Sequence, residues 1–356
     1  MSEISVVVIT RNRRTLLCQA LERIRALLPQ AEIIVVDNAS TDDTVEHVRR
    51  HFPDVKLVPL AHNVGIPHAR NIGARHAQAS LLLFLDDDGF LHCPHLPQLI
   101  ETFQKNPQWA VLSFPVVSPR DSTPADSSAG SAEASVLKHA DLPPTPFPKG
   151  KGNSPPSLGE GPGERSDALA SGSQGYLQTP LSLWYTFNGG AALVKREIFW
   201  EVGGFPEHFF YSHEEDDLSL RLFARGYRVV ICPWARFRHA EAGHKKIFPR
   251  IFYYYRNRQW VIWRHLPLGW AIVESLATLV GGVVRTAFTP ALAAVLAGTV
   301  AAFVRLPLVL SRERHSLSSA QYAQYRALSA GRANLFVRMK YLWHAVHSGR
   351  RLSGIT

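Results

Sequence analysis

The stretch Leu81–Gly89, LLLFLDDDG, sets five consecutive apolar residues directly against three consecutive carboxylates. A short apolar run ending in a polar turn is the pattern of a strand buried on both faces, as in a parallel sheet covered by helices. Adjacent carboxylates at such an end repel one another and are costly to take out of water unless a cation or hydrogen-bond donors compensate. A hard divalent ion suits them, because Mg²⁺ or Mn²⁺ takes one or two carboxylates and completes its shell with water and phosphate oxygens. The competing reading of Asp86, Asp87 and Asp88 is a solvated acidic turn. Their place at a strand's carboxyl end, where ligands of open α/β sheets collect, favours the metal.

The same grammar runs upstream. Ser5–Thr10 (SVVVIT), Glu32–Asp37 (EIIVVD) and Lys56–Leu60 are further short apolar runs, and helical spacing separates them: Leu16, Leu17, Ala20, Leu21 and Ile24, then Val45 and Val48, then Ala69, Ile72 and Gly73. Strand alternating with helix predicts an α/β domain whose sheet is mostly parallel, with right-handed crossovers. Downstream, Leu183–Val194 reads as one strand containing Gly189 and Gly190, followed by helices at Arg196–Val202 and Glu215–Arg225 and a strand at Tyr227–Cys232. Between the halves, Ser118–Pro180 holds 29 Pro, Gly and Ser in 63 residues. That composition cannot bury enough apolar surface to offset its ordering entropy, so a disordered insertion is expected. The domain plan is thus 1–117 with 181–245 as one α/β unit, 118–180 as the insertion and 246–356 as a helical extension.

The chain has 356 residues, of which 46% are hydrophobic, which excludes a disordered tail, a disulfide miniprotein and a polytopic membrane protein. Cys18, Cys93 and Cys232 show no metal or disulfide spacing, in keeping with a reducing compartment. No signal peptide is expected, since Met1–Thr10 runs into the first strand without a basic start. Residues 241–356 hold 16 Lys and Arg against only Glu241, Glu274 and Glu313, a net charge of +13. Such a segment seeks an anionic surface.

Other polar residues fall at or near strand ends. In Asp37-Asn38-Ala39-Ser40-Thr41-Asp42-Asp43 the first carboxylate can accept from a base imide or a ribose hydroxyl, while Ser40, Thr41, Asp42 and Asp43 read as helix caps. Asn63-Val64-Gly65 opens the third helix; there Gly65 permits close backbone approach and Arg70 lies within reach of a phosphate. In His213-Glu214-Glu215-Asp216-Asp217, helical spacing places Glu214 and Asp217 on one face with Glu215 elsewhere. One of these carboxylates could be a general base and another a structural partner for Arg221 or for a helix N-terminal amide, the competing reading being an ordinary acidic first turn. His239 and His244 are candidates to complete a metal site.

Seven blocks in order, VVVITRNR (6–13), VVDNASTD (35–42), HNVGIPHARNIG (62–73), LFLDDDG (83–89), FNGGAALVKREIFWEVGGFPEHFF (187–210), HEEDDLSLRLFARGYRV (213–229) and PWARFRH (233–239), resemble family 2 glycosyltransferases of the GT-A fold, in particular their rhamnosyltransferase-like branch. The resemblance covers about residues 3–117 and 183–264. It implies inverting transfer of a sugar from a nucleotide-sugar donor to an acceptor hydroxyl of a glycan or lipid-linked acceptor in cell-surface polysaccharide synthesis. By position, Thr10, Arg11, Asn12, Asp37 and Asn38 would surround the nucleotide. Asn63, Gly65, Arg70 and Asn71 would shape the donor pocket, with Asp86 and Asp87 beside it and Gly189 and Gly190 on the sugar side. Asp88 and Asp86 would hold Mg²⁺ or Mn²⁺, with His239 near the diphosphate. The family's usual Glu-Asp-x-Asp-Leu reads Glu214-Glu215-Asp216-Asp217-Leu218 here, which puts Glu215 at the base position and leaves Glu214 and Asp217 as its rivals.

The basic C-terminal part interleaves aromatics with Lys and Arg at Lys246–His265, the residues of a headgroup interface, and continues apolar from Leu266 to Leu310. Its longest uncharged run, Thr286–Val304, falls just short of a span of roughly 20 residues and contains Pro290. Interfacial helices are expected, with the chain cytoplasmic and peripheral at the inner face of an anionic membrane, and no nucleic acid partner. The rival classes are a metal-dependent nucleotidyltransferase, a non-catalytic glycosyltransferase-like binding protein and a nucleic-acid-binding module.

Overall fold

The computed structural model describes residues 3–93, 95–117, 181–239 and 247–329; the expected insertion at 118–180 and His244 lie outside them. Strands β1 (Ile4–Thr10), β2 (Glu32–Asp37), β3 (Lys56–Pro59) and β4 (Leu81–Asp86) are linked by helices α1 (Arg14–Leu27), α2 (Thr44–His51) and α3 (Ile66–His76). They pair in parallel in the order β3-β2-β1-β4. Next come β5 (Gly89–His92), α4 (Leu96–Lys105), β6 (Trp109–Ser113), β7 (Val116–Val117), β8 (Ser182–Trp184), β9 (Ala191–Lys195), α5 (Arg196–Glu201), α6 (Glu214–Ala224), β10 (Arg228–Ile231) and β11 (Arg236–His239). The main sheet has eight strands, ordered β3-β2-β1-β4-β9-β6-β10-β8, and β5-β11-β7 form a small second sheet.

The alternation of side chains along β4 shows why an unbroken apolar run suits this place. Leu81, Leu83 and Leu85 pack into one core with Val6, Val8 and Leu17, whereas Leu82 and Phe84 pack into the opposite core with Val7 and Phe199. Parallel pairing aligns the carboxyl ends: Thr10 lies opposite Asp37, and Ile9 opposite Asp86.

The expected single strand Leu183–Val194 is two. Asn188 turns the chain, its backbone carbonyl accepting from Ala191 N (3.0 Å) and its side chain from Gly190 N (2.8 Å). β9 then runs antiparallel between β4 and β6, so the sheet is mixed around a parallel half.

The C-terminal part is helical: α7 (Ile247–His265), α8 (Leu268–Thr286), α9 (Ala291–Val304), a short α10 (Leu306–Leu308), a π-helical turn Val309–Glu313 and α11 (Ser319–Ser329). The aromatic and basic α7 is not the outer face expected of it. Trp260, Val261 and Ile262 are buried in a third core with Phe209, Leu220 and Phe223, and α8 and α9 cover its other side. The apolar surface lies instead on α8, where Leu268, Ile272, Leu276, Val280 and Val284 recur every four residues and stay exposed, and on Phe288, Leu296, Val300, Phe303 and Val304. The uncharged run Thr286–Val304 is broken at Pro290, which precedes α9. Among the described residues α8 is the one helix long and apolar enough to cross a membrane, and α9 with its continuation to Glu313 meets that criterion only as a pair bent by 46°.

Candidate active site

Asp37 ends β2 buried, its Oδ1 accepting from Ser40 N (2.8 Å) while its Oδ2 has no protein partner. Thr10, buried beside it, uses its carbonyl to accept from Asn38 N (2.8 Å).

Several of the expected pocket residues make contacts between loops. Arg11 reaches the Ala39 carbonyl at 3.3 Å. Asn12 Oδ1 accepts from Thr41 N (2.7 Å) and the Asn12 backbone N–H donates to Ser40 Oγ (2.8 Å), so Ser40 and Thr41 tie two loops together rather than cap α2. Asp43 holds the N-cap position of α2 without a side-chain capping bond, and Asp42 accepts from the first helical amide, Thr44 N, at 3.1 Å. Asn38 accepts from Val64 N (2.9 Å), and Asn63 from Gly65 N (3.0 Å). The Asn71 amide is spent on both backbone groups of Phe205, at 2.8 and 3.0 Å, and on Glu207. These contacts shape the loops around the pocket.

Arg70 is the hub. Projecting from α3 and buried, it donates to Asp86 Oδ1 (3.2 Å), Glu214 Oε1 (3.3 Å) and Glu215 Oε1 (3.2 Å). Its guanidinium is shared among these three carboxylates. Contrary to the helical-face expectation, Glu214 and Glu215 converge and Asp217 diverges, because Arg70 gathers the first two while Arg221, Arg264 and His265 claim the third. Asp217 is wholly buried, and these cations hold it far below the ordinary carboxylate range against the opposing effect of burial. It is a structural anchor, far from suited to meet an acceptor. Asp216 is likewise kept ionised, at about 2, where burial is outweighed by the His213 hydrogen bond and by Arg258.

Burial pushes Glu214 up to about 8, with the adjacent Glu215 charge adding to it. Burial also raises Glu215, against Arg70 and the Gly189 amide. The two differ in access: 4% of the Glu214 side chain is exposed and 20% of the Glu215 side chain. Gly189 N donates to Glu215 Oε1 at 3.0 Å, and a Cβ at Gly189 would collide with Arg70 and Glu215. At Gly190 a Cβ would strike the Asp86 carboxylate. Both glycines are thus demanded by the approach of this loop to the acidic groups.

At the triplet, Arg13 Nη1 lies 2.8 Å from Asp87 Oδ1 and 2.9 Å from Asp88 Oδ2. Burial nevertheless raises Asp87 to about 6, ahead of the lowering effect of Arg13. Arg13 belongs to the block VVVITRNR, and its charge following the strand end is the signal that would have marked it. Guanidinium groups on Asp86 and Asp88 stand where a cation is wanted, and the donors are the hard oxygens a divalent ion takes. Among the described residues no group of three His, Cys, Asp or Glu side chains is arranged to hold a metal ion. The protein would then supply only one or two ligands, with water and phosphate the rest, as Mg²⁺ sites commonly do. The backbone of His239 pairs with Gly89, while its side chain lies outside the described part.

Residues 5–153 match the family model described as glycosyl transferase family 2. This stretch is similar to glycosyltransferase family 2. Over a longer span, the chain is 27% identical over 293 residues to the N-acetylglucosaminyl-diphospho-decaprenol L-rhamnosyltransferase of Mycobacterium tuberculosis, covering 72% of this chain and 86% of that protein. It is also 27% identical over 252 residues to the O-antigen biosynthesis protein RfbC of Myxococcus xanthus, covering 68% of this chain and 18% of that one. The chain spans less than two fifths of the length of the first curated relatives it matches. A crystal structure of GalNAc-T7 with UDP, GalNAc and Mn²⁺ superposes with a TM-score of 0.52 at 16% identity, covering 97% of this chain and 57% of that one. The chain has the GT-A fold, with its helical part C-terminal.

Proposed function

We propose that this chain transfers a sugar, with inversion, from a nucleotide-sugar donor to a hydroxyl of a glycan or lipid-linked acceptor, in the synthesis of cell-surface polysaccharide. The observation that carries this reading is the Arg70 bridge, which joins Asp86 at a strand end to the half-open Glu215 at the start of α6. Donor-side and base-side carboxylates are thereby held on opposite sides of one guanidinium. Asp37, with its unpartnered buried oxygen, would take the nucleobase or ribose. Glu215, fixed by the Gly189 amide, would accept the proton of the attacking acceptor hydroxyl. Glu214, deeper and pushed up toward neutrality, would stay protonated and spare Glu215 a second adjacent charge. Asp88 and Asp86 would hold a divalent cation, whose chemistry is to neutralise charge on the departing diphosphate. The Mn²⁺ in the GalNAc-T7 structure supports the choice of metal, and the decaprenol-linked acceptor in the name of the mycobacterial relative supports the acceptor class.

The exposed apolar faces of α8 and α9, in a C-terminal part of net charge +13, support peripheral attachment to an anionic inner membrane surface, where such an acceptor resides.

Incubation with nucleotide-sugars, Mn²⁺ and lipid-linked acceptors tests the reaction. Nucleoside diphosphate should be released, and the product linkage should have the opposite anomeric configuration to the donor. Pyrophosphate release would identify a nucleotidyltransferase, and no donor turnover with any acceptor would leave a binding protein.

A further inference from the structure

Immediately before Glu214 the backbone is strained. Phe210 (φ 63°, ψ −44°), Ser212 (φ 72°) and His213 (φ 65°, ψ 6°) all take positive φ without being glycine. Tyr211 N donates to the Phe209 carbonyl at 2.7 Å, closing a γ-turn of the rarer positive-φ kind around Phe210. Such conformations persist only where the surroundings over-determine them, and they cluster at functional sites.

The surroundings here come from α7. Asn257 is fully buried, and its Nδ2 lies within donating distance of three consecutive-region carbonyls, Phe209 (2.9 Å), Tyr211 (2.7 Å) and Ser212 (2.9 Å). Its Oδ1 accepts from Arg256 Nε at 3.0 Å, which fixes the amide's orientation. On the opposite side the Phe210 carbonyl accepts from Ile66 N (2.8 Å) at the start of α3, the helix that carries Arg70, and the Phe210 ring stacks on Tyr253. The strap is thus gripped between the Arg70 helix and α7, and it delivers Glu214 and Glu215 to Arg70.

We propose that Asn257 is a positioning residue for the Glu214–Glu215 pair: it acts through the Phe209–Ser212 backbone to set the direction in which α6 begins. This inference rests on the reading of Glu215 as the base. If the His213 backbone relaxed to ordinary negative φ, the first turn of α6 would rotate and carry both carboxylates off Arg70 and the Gly189 amide. Asn257 touches neither donor nor acceptor in this account.

Asn257→Asp tests it in the full chain, since aspartate keeps the volume but removes both donors and sets a carboxylate against the carbonyls. The expected result is a kcat lower on the order of 10²-fold, as for a displaced catalytic group, with donor KM little changed. Amide hydrogen exchange over residues 209–216 should quicken while β1, β2 and β4 keep wild-type protection. Adding Ser212→Gly, which accepts positive φ without penalty, should restore part of the kcat. Should Asn257→Asp fail to fold, Asn257→Ser, which retains one donor, serves the same readouts. Wild-type kcat in the variant overturns the proposal, as does unchanged exchange over 209–216, or a donor KM that rises in step with the loss. A wild-type chain that transfers no sugar defeats the catalytic reading instead, and the exchange measurement still decides whether Asn257 holds the strap.

Discussion

His265 Nε2 lies 2.7 Å from Asp217 Oδ1, so the last turn of α7 is bonded to the first turn of α6. Both residues are buried, and Arg264 and Arg221 complete the cluster at 2.8 and 2.7 Å. The helical part is therefore not an appendage to the α/β unit: it supplies the partners of the helix that carries the candidate base. Burial lowers His265 from its ordinary value, and the negative charge of Asp217 opposes that only in part.

Asp217→Asn should destabilise the fold by about 3–5 kcal/mol, because it leaves two buried guanidinium groups short of their counter-charge. The pH dependence has a definite sign. A carboxylate depressed in the folded state contributes stability above its unfolded value, near 4, and loses it as the pH falls toward the folded value. The melting-temperature gap between wild type and Asp217→Asn should be full at pH 7 and narrow below pH ~4. A constant gap across that range would show that the charge of Asp217 is not what holds the helices.

Glu215→Gln should leave donor binding intact and lower kcat by about 10²–10⁴-fold, the usual worth of a general base. Glu214→Gln should transfer sugar at close to the wild-type rate at pH 7, since an amide resembles the protonated carboxyl that burial enforces there. A raised carboxyl contributes stability at low pH and loses it as the pH climbs from its unfolded value, near 4.3, through about 8. Thermal melts from pH 5 to 9 should accordingly fall less steeply for Glu214→Gln than for wild type. If Glu214→Gln were the inactive variant and Glu215→Gln the active one, the roles would be reversed.

The parallel half of the sheet was legible because each strand carries its own signal: Val6–Val8, Ile33–Val36 and Leu81–Leu85 are apolar on both faces and end in polar residues. Strand-end position also marked Asp37, Asp86 and Asp88. What local sequence does not encode is which carboxylate meets which cation. Arg70 lies 144 and 145 residues from the glutamates it gathers, and that long-range pairing overrides the i,i+3 rule which grouped Glu214 with Asp217. Asn257 carries no local mark at all, since a polar residue inside an aromatic and basic helix looks like surface until the helix is found buried. The apolar face on α8 was blurred for a related reason: composition describes the whole Leu266–Leu310 stretch, whereas the helix breaks decide which residues point outward.

If Asp88 holds a divalent ion as proposed, Arg13 would compete with that ion, since its guanidinium lies against both Asp87 and Asp88. Arg13→Gln should bind Mn²⁺ several-fold more tightly in the absence of nucleotide, read as loss of the free-ion signal by electron paramagnetic resonance. Asp88→Asn should abolish that binding. Unchanged or weaker Mn²⁺ binding by Arg13→Gln would mean that Arg13 supports the ligands rather than competing for them.

The row Leu276, Val280 and Val300 offers a measure of membrane attachment that leaves the fold alone. These side chains are 45–63% exposed as a group with Leu296, so replacing them with serine removes little internal packing and should leave the melting temperature close to wild type. Each apolar residue inserted into a headgroup region contributes in proportion to the area it hides, about 25 cal/mol per Å². The triple serine variant should therefore lose most of its co-sedimentation with vesicles containing anionic phospholipid. Wild type should bind such vesicles more tightly than neutral ones, through the C-terminal cations, and that preference should weaken with added salt. An alkaline carbonate wash should release the wild-type protein from membranes, whereas retention after the wash would mean that α8 crosses the bilayer instead of lying along it.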